Sequence, residues 1–188
     1  MTFRETPLPG VILVELQVFR DLRGDLAETY HAERFAEAGI REHFVQDNQS
    51  SSHRGVLRGL HFQARQPQGK LVRVVRGEVF DVAVDLRLGS PHFRRWHAEV
   101  LSETNRRMVY IPPGFAHGFV TLSEEAVFLY KCTAPYAPEW DRGVRWDDPD
   151  LGVAWPVTEP VLSSKDAALP LLREISSADL ELWREAEP

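Results

Sequence analysis

The sequence predicts an all-β fold, an antiparallel sandwich or barrel carrying short peripheral helices. Three observations lead there. Short apolar, β-branched runs recur along the chain, turn-forming Gly, Pro, Asn and Asp residues separate them at near-even spacing, and the strongest runs alternate with a period of two. At 188 residues the chain fits one domain, 1–188, large enough to bury a core without covalent staples. Hydrophobic residues at 43% and charged residues at 27% give the balance of an ordinary soluble globular protein.

Val11–Val18 is largely apolar and β-branched and reads as the first strand. Phe19–Gly24 follows as a turn, with Asp21 and Gly24 as its breakers. Asp25–Tyr30 is expected as a short strand carrying Glu28 near Arg23, and Ala32–Ala38 as a helix stopped by Gly39. Phe44–Ser52 is polar and turn-like, and its Gln46, Asp47 and Asn48 either face a ligand or satisfy loop backbone. Val56–Arg58 resumes an extended segment, and Leu71–Arg76 and Glu78–Arg87 are strands joined at Gly77. In the second, Phe80, Val82, Val84 and Leu86 alternate with Asp81, Ala83, Asp85 and Arg87, the pattern of one buried face.

Gly89–Pro91 marks a turn before a strand at Trp96–Leu101, and Ser102–Arg106 a turn before Met108–Ile111. After Pro112–Gly114, two more strands are expected at Phe119–Leu122 and Ala126–Thr133, which closes a barrel core of about 44–133. From 134 to 188, Pro135, Pro138, Pro149, Pro156 and Pro160 impose a loop-rich arm, with Ser177–Glu185 as a terminal helix.

The same residues exclude several functions. A net charge of −6 with no basic block argues against nonspecific nucleic-acid binding. No apolar run is long enough to span a membrane, and the N-terminus lacks the pattern of a signal peptide. The single cysteine, Cys132, cannot form an internal disulfide, suits a reducing cytoplasm, and lies in a strand as a structural thiol rather than a nucleophile.

One stretch concentrates chemistry: Arg58-Gly-Leu-His-Phe-Gln-Ala-Arg-Gln-Pro-Gln-Gly-Lys70. It sets His61 among apolar neighbours and brackets it with cations, which suits either a general base acting on an anion or a partly buried, backbone-bonded histidine. A second is Pro112-Pro-Gly-Phe-Ala-His117, whose Pro-x-Gly-x-x-His spacing resembles the second motif of the cupin barrels. Most cupins use that histidine as a metal ligand beside an earlier His-x-His pair. Here the earlier hairpin offers only His61-Phe-Gln63, so no metal site is expected, and His117 reads as a hydrogen-bond or charge partner.

Longer segments are more specific. Gln46–Asn48, Gly55-Val-Leu-Arg-Gly-Leu-His-Phe-Gln63, Gln68-Gly-Lys-Leu-Val-Arg-Val74, Ile111–Phe119, Phe128–Lys131 and Trp155-Pro156 resemble the dTDP-4-dehydrorhamnose 3,5-epimerase family. The resemblance runs from about Phe19 to Asp166, most of the chain. It implies a cupin-type antiparallel jelly roll that works without metal or cofactor on dTDP-4-dehydro-6-deoxy-D-glucose, in dTDP-L-rhamnose biosynthesis.

By the same resemblance, His61 matches the family's general base, Asp166 the carboxylate that orients it, Tyr130 the proton donor for the opposite face, and Lys70 the cation near the C4 oxygen. Arg23 and Arg58 match positions near the diphosphate. Glu28, Gln46, Asp47, Asn48, His117 and Lys165 match other substrate contacts, and either Tyr136 or one of the nearby tryptophans is the expected stacking partner for the thymine. Asp141 stands where the family commonly carries glutamate. In the family the residues matching Arg23 and Glu28 reach across from a partner subunit, which implies a homodimer. Read without the resemblance, Tyr130 is rather a core residue, Glu28 a surface charge and Asp166 a helix cap. Alternatives for the activity are inversion at a single centre, C3 or C5, and a non-catalytic cupin that binds a sugar nucleotide.

Overall fold

The structure, a computed structural model, describes residues 1–180. Its strands are β1 (Thr2–Glu5), β2 (Ile12–Glu15), β3 (Val18–Asp21), β4 (Gly24–Ala27), β5 (Gln46–His53), β6 (Leu57–Gln63), β7 (Lys70–Arg76), β8 (Glu78–Asp85), β9 (Trp96–Ser102), β10 (Arg107–Ile111), β11 (Phe115–Thr121), β12 (Glu125–Cys132) and β13 (Asp141–Gly143). Three short helices, α1 (Ala32–Glu37), α2 (Ser164–Ala167) and α3 (Ser177–Leu180), decorate them. A six-stranded sheet of order β1-β2-β10-β7-β12-β5 faces a five-stranded sheet of order β13-β6-β11-β8-β9. Every ladder between these strands is antiparallel. This is the antiparallel barrel expected from the turn-punctuated apolar runs, in the jelly-roll form that the epimerase resemblance implies.

The space between the sheets is filled from both sides. Val72, Val74, Val109, Ile111 and Phe128 of one sheet meet Val79, Ala83, Leu101, Phe115 and Phe119 of the other. The Phe119 and Phe128 rings stack at 4.2 Å across the gap. The outer face of the five-stranded sheet is also buried: Leu60, Phe62, Val82, Val84 and Ala116 are covered by Leu151, Leu172 and Trp155 of the C-terminal arm. On the outer face of the other sheet, Val14, Leu71 and Met108 pack under Phe35 of α1 and Ile40.

That double burial corrects the reading of β8. Its alternation was expected to leave Asp81 and Asp85 on an open face, yet they are 2% and 0% exposed. Both faces of a central strand in a covered sheet are interior, and the two carboxylates are there because each has partners. Asp85 accepts from Arg87 and Ser90, and Asp81 meets His117.

Several boundaries also moved. The apolar run Val11–Val18 is split, with β2 ending at Glu15 and a hairpin, β3–β4, beginning at Val18. The turn expected over Phe19–Gly24 tightens to Leu22-Arg23 between those paired strands. Glu28 lies beyond β4 and pairs with Arg34 rather than Arg23. The segment read as a polar turn, Phe44–Ser52, is strand from Gln46 onward: β5 continues to His53 and pairs along its whole length with β12. The strand expected to begin at Phe119 begins at Phe115, directly after Gly114, whose φ of +88° makes the turn. The terminal helix expected over Ser177–Glu185 is present as α3 to Leu180; its remainder falls outside the described residues.

Candidate active site

A two-lobed cleft opens between the sheets, each lobe of about 290 Å³. His61, Lys70 and Tyr130 line both lobes and therefore mark their junction. His61 comes from β6 in the five-stranded sheet, and Lys70 and Tyr130 come from β7 and β12 in the six-stranded one. His61 and Tyr130 thus approach the cleft from opposite walls.

The local backbone explains how β6 serves this site. In a regular strand, residues three apart point to opposite faces, yet Arg58 and His61 both line the cleft. Opposite them, His117 pairs with His61 and Phe119 with Arg58, so three steps on β6 match two on β11. The extra residue is a β-bulge, which re-aims one side chain. Gly59 at φ +121° supplies the backbone freedom it requires.

His61 Nε2 lies 2.5 Å from Asp166 Oδ1. Asp166 is 4% exposed and sits in the first turn of α2, where Ser163, not Asp166, is the N-cap. The Ser163 hydroxyl accepts from the Asp166 amide at 3.0 Å and donates to Asp166 Oδ2 at 2.9 Å. Burial by itself would raise the Asp166 carboxyl; the hydrogen bond and charge of His61, followed by the Ser163 hydroxyl, outweigh it and hold the pKa below the usual carboxylate value. A carboxylate accepting from Nε2–H fixes the tautomer and leaves Nδ1 with its lone pair, the basic nitrogen.

Lys70 is 9% exposed, and among the described residues no carboxylate lies within ion-pair distance of it. Desolvation pushes its amine below the ordinary lysine pKa, against the opposing pull of Cys132, Asp141 and Asp81. Tyr130 is half-buried, and burial raises its phenol, which keeps the hydroxyl protonated. Cys132 beside them is a buried free thiol whose pKa burial pushes up, as a structural cysteine requires.

Cations gather in the lobe around His117. Arg58 is held by Ser52 Oγ at 3.0 Å and the Ser51 carbonyl at 3.3 Å. Lys165 pairs with Asp141, whose Oδ2 also accepts from the Tyr136 hydroxyl at 2.9 Å. His117 Nε2 meets Asp81 Oδ2 at 2.8 Å, and its ring stacks on Phe128. Among the described residues, no three His, Cys, Asp or Glu side chains converge as a metal site.

The dTDP-4-dehydrorhamnose 3,5-epimerase family model matches residues 5–174. The chain belongs to this family. It is 53% identical over 175 residues to the dTDP-4-dehydrorhamnose 3,5-epimerase of Methanothermobacter thermautotrophicus, covering 92% of this chain and 95% of that one. It is 58% identical over 161 residues to the enzyme of the same name from Pseudomonas aeruginosa, covering 85% and 89%. The crystal structure of the Legionella pneumophila dTDP-6-deoxy-D-glucose-3,5-epimerase in complex with dTDP-4-keto-L-rhamnose superposes with a TM-score of 0.94 at 48% identity, covering 97% and 98%.

Of the positions that the epimerase resemblance picks out, the cleft gathers His61, Asp166, Lys70, Tyr130, Arg58, His117, Gln46, Asn48, Tyr136, Asp141 and Lys165. Three stand elsewhere. Asp47 points to the other face of β5 and pairs with Lys131 at 2.9 Å. Arg23 sits at the tip of the exposed β3–β4 hairpin, paired with Asp21, and Glu28 lies just beyond that hairpin. Sequence reasoning missed Asp81, whose strand alternation disguised it, and Ser163. The Ser-x-x-Asp spacing of a helix cap pointed to Ser163.

Proposed function

We infer that this chain is an isomerase that epimerises dTDP-4-dehydro-6-deoxy-D-glucose at C3 and C5, giving dTDP-4-dehydro-L-rhamnose. The observation that carries the reading is the placement of an Asp166-bonded histidine and a half-buried tyrosine on opposite walls of one cleft, with a buried lysine lining the same junction. The C4 ketone acidifies the protons on C3 and C5. His61 Nδ1 removes one, and the electron pair of the C–H bond moves into an enolate whose negative charge falls on O4. The Lys70 ammonium stabilises that charge, more strongly for being out of water. Tyr130 then gives its hydroxyl proton to the same carbon from the opposite face, which inverts it. A proton returned from the His61 imidazolium to the Tyr130 phenolate through solvent resets both groups for the second centre.

Arg58 and Lys165 supply positive charge for the diphosphate, and Tyr136 offers an exposed ring for the thymine. His117, Asn48 and Asp141 border the sugar and nucleotide. The active unit is a homodimer in which the partner's hairpin completes the site. Supporting this, Leu22, Leu26 and Phe19 of β3–β4 are exposed, and Arg23 and Glu28 lie outside this chain's own cleft. No helix among the described residues is long and apolar enough to cross a membrane. We place the enzyme in the cytoplasm, where Cys132 stays reduced. No cofactor is required by the steps above.

Proton NMR of the substrate in deuterated water tests the reading. Deuterium entering at both C3 and C5, with product accepted by a 4-keto reductase specific for the L-sugar, is expected. Label at one carbon identifies a single-centre epimerase, and binding without exchange a non-catalytic cupin.

A further inference from the structure

Residues Ala134–Ala137 link β12 to the turn before β13 and carry Tyr136 to the rim of the cleft. Their backbone is held by glutamine side chains. Gln68 Nε2 donates to the Ala134 carbonyl at 2.7 Å, and Gln63 Nε2 donates to the Pro135 carbonyl at 3.2 Å. The Tyr136 amide donates to Gln46 Oε1 at 2.8 Å, and the Ala137 amide to Gln63 Oε1 at 2.9 Å. Gln63 is 7% exposed and also donates to the Gln66 carbonyl at 2.6 Å, so its whole amide is committed to the two loops. The Tyr136 side chain, by contrast, is 54% exposed.

We propose that Gln63, helped by Gln46 and Gln68, is a positioning residue: an amide clasp that fixes Tyr136 as the stacking wall for the nucleobase. The proposal rests on the epimerase reading above, in which Tyr136 meets the thymine. An exposed aromatic on a proline-containing loop gains binding energy only to the extent that its ordering cost is met before the ligand arrives. A primary amide is suited to this because it donates to a carbonyl and accepts from an N–H at once, with no charge added beside a bound diphosphate. The geometry also gives Gln46 a specific part. Its Oε1 holds Tyr136 and its Nε2 donates to Asn48 Oδ1 at 3.1 Å, so it acts through the loop.

The test compares dTDP with inorganic pyrophosphate as calorimetric ligands, and steady-state turnover of the dTDP sugar, in wild type, Gln63→Leu, Tyr136→Ala and the double variant. Gln63→Leu should weaken dTDP about tenfold while pyrophosphate changes by less than about twofold, because the lost contacts are to the base-stacking loop and to the Gln66 carbonyl, neither of which carries Arg58 or Lys165. KM should rise by a similar factor with kcat little changed, and the double variant should bind dTDP no more weakly than Tyr136→Ala. Equal weakening of pyrophosphate, additivity of the two substitutions, or a Tyr136→Ala protein that binds dTDP normally would overturn the clasp. If Gln63→Leu does not fold, Gln68→Leu removes one bond at the rim and should give the same ligand selectivity with about a threefold loss. A wild-type protein that binds dTDP but turns over no sugar fails the epimerase reading instead, and the two-ligand comparison still decides the clasp.

Discussion

Gly59 and Gly118 face each other across β6 and β11 with no room for a side chain between them. A Cβ on Gly59 would lie 2.6 Å from Gly118 Cα and 2.7 Å from the His117 carbonyl, and one on Gly118 would lie 2.7 Å from the Arg58 carbonyl. This close approach accompanies the bulge that puts Arg58 and His61 on one face. Gly59→Ala combines that clash with a positive φ and should cost on the order of 3 kcal/mol of stability. Thermal melts should show it, and turnover at a temperature where the variant is still folded should fall as well, because His61 and Arg58 move together.

Tyr130→Phe separates abstraction from inversion. The variant keeps His61, Asp166 and Lys70, so proton removal from the substrate continues and His61 can return a solvent-derived proton to the face it came from. Deuterium should therefore enter the substrate in deuterated water without change of configuration, while net epimerisation falls by about 10²–10⁴. Full inversion in this variant would remove Tyr130 from the mechanism.

Lys70 places function and stability in opposition. Its folded pKa is lowered by desolvation, so the charged amine destabilises the fold below that folded pKa, and stability rises with pH between the folded and the unfolded value of about 10.4. Lys70→Met should melt at a higher temperature than wild type at neutral pH and lose turnover. The difference in melting temperature should shrink as pH climbs through the folded pKa, because the wild type then sheds the buried charge. A gap that widens with pH would contradict the buried-ammonium account.

Subunit mixing addresses the hairpin. Arg23→Ala and His61→Ala homodimers should both be nearly inactive. After unfolding and joint refolding, the mixed dimers hold one site with every residue intact, and activity should return to about a quarter of wild type per site. No recovery would mean that Arg23 serves its own chain or none.

Much of this architecture was legible beforehand. Strands β7, β9, β10 and β12 announce themselves by apolar, β-branched runs, α1 by its composition and its stop at Gly39, and the aim of His117 by the Pro-x-Gly turn before it. The polar strand β5 was not legible, since Gln46-Asp-Asn-Gln-Ser-Ser-Ser-His53 has neither β-branched residues nor apolar alternation. It is extended because β12 offers a complete ladder of partners, and it stays polar because one face borders the cleft.

By itself the sequence determined a sandwich-or-barrel class through its local periodicity, and its motifs determined the family and the candidate reactive groups that the resemblance picks out. Only the tertiary structure decided which of those groups meet. Asp166 reaches His61 from 105 residues away, Asp81 turns inward to His117, and Asp47 turns out to Lys131. Faces are assigned by strand pairing, by the bulge at Gly59 and by the arm that covers the second sheet, and pairings between distant segments leave no periodic trace in the chain.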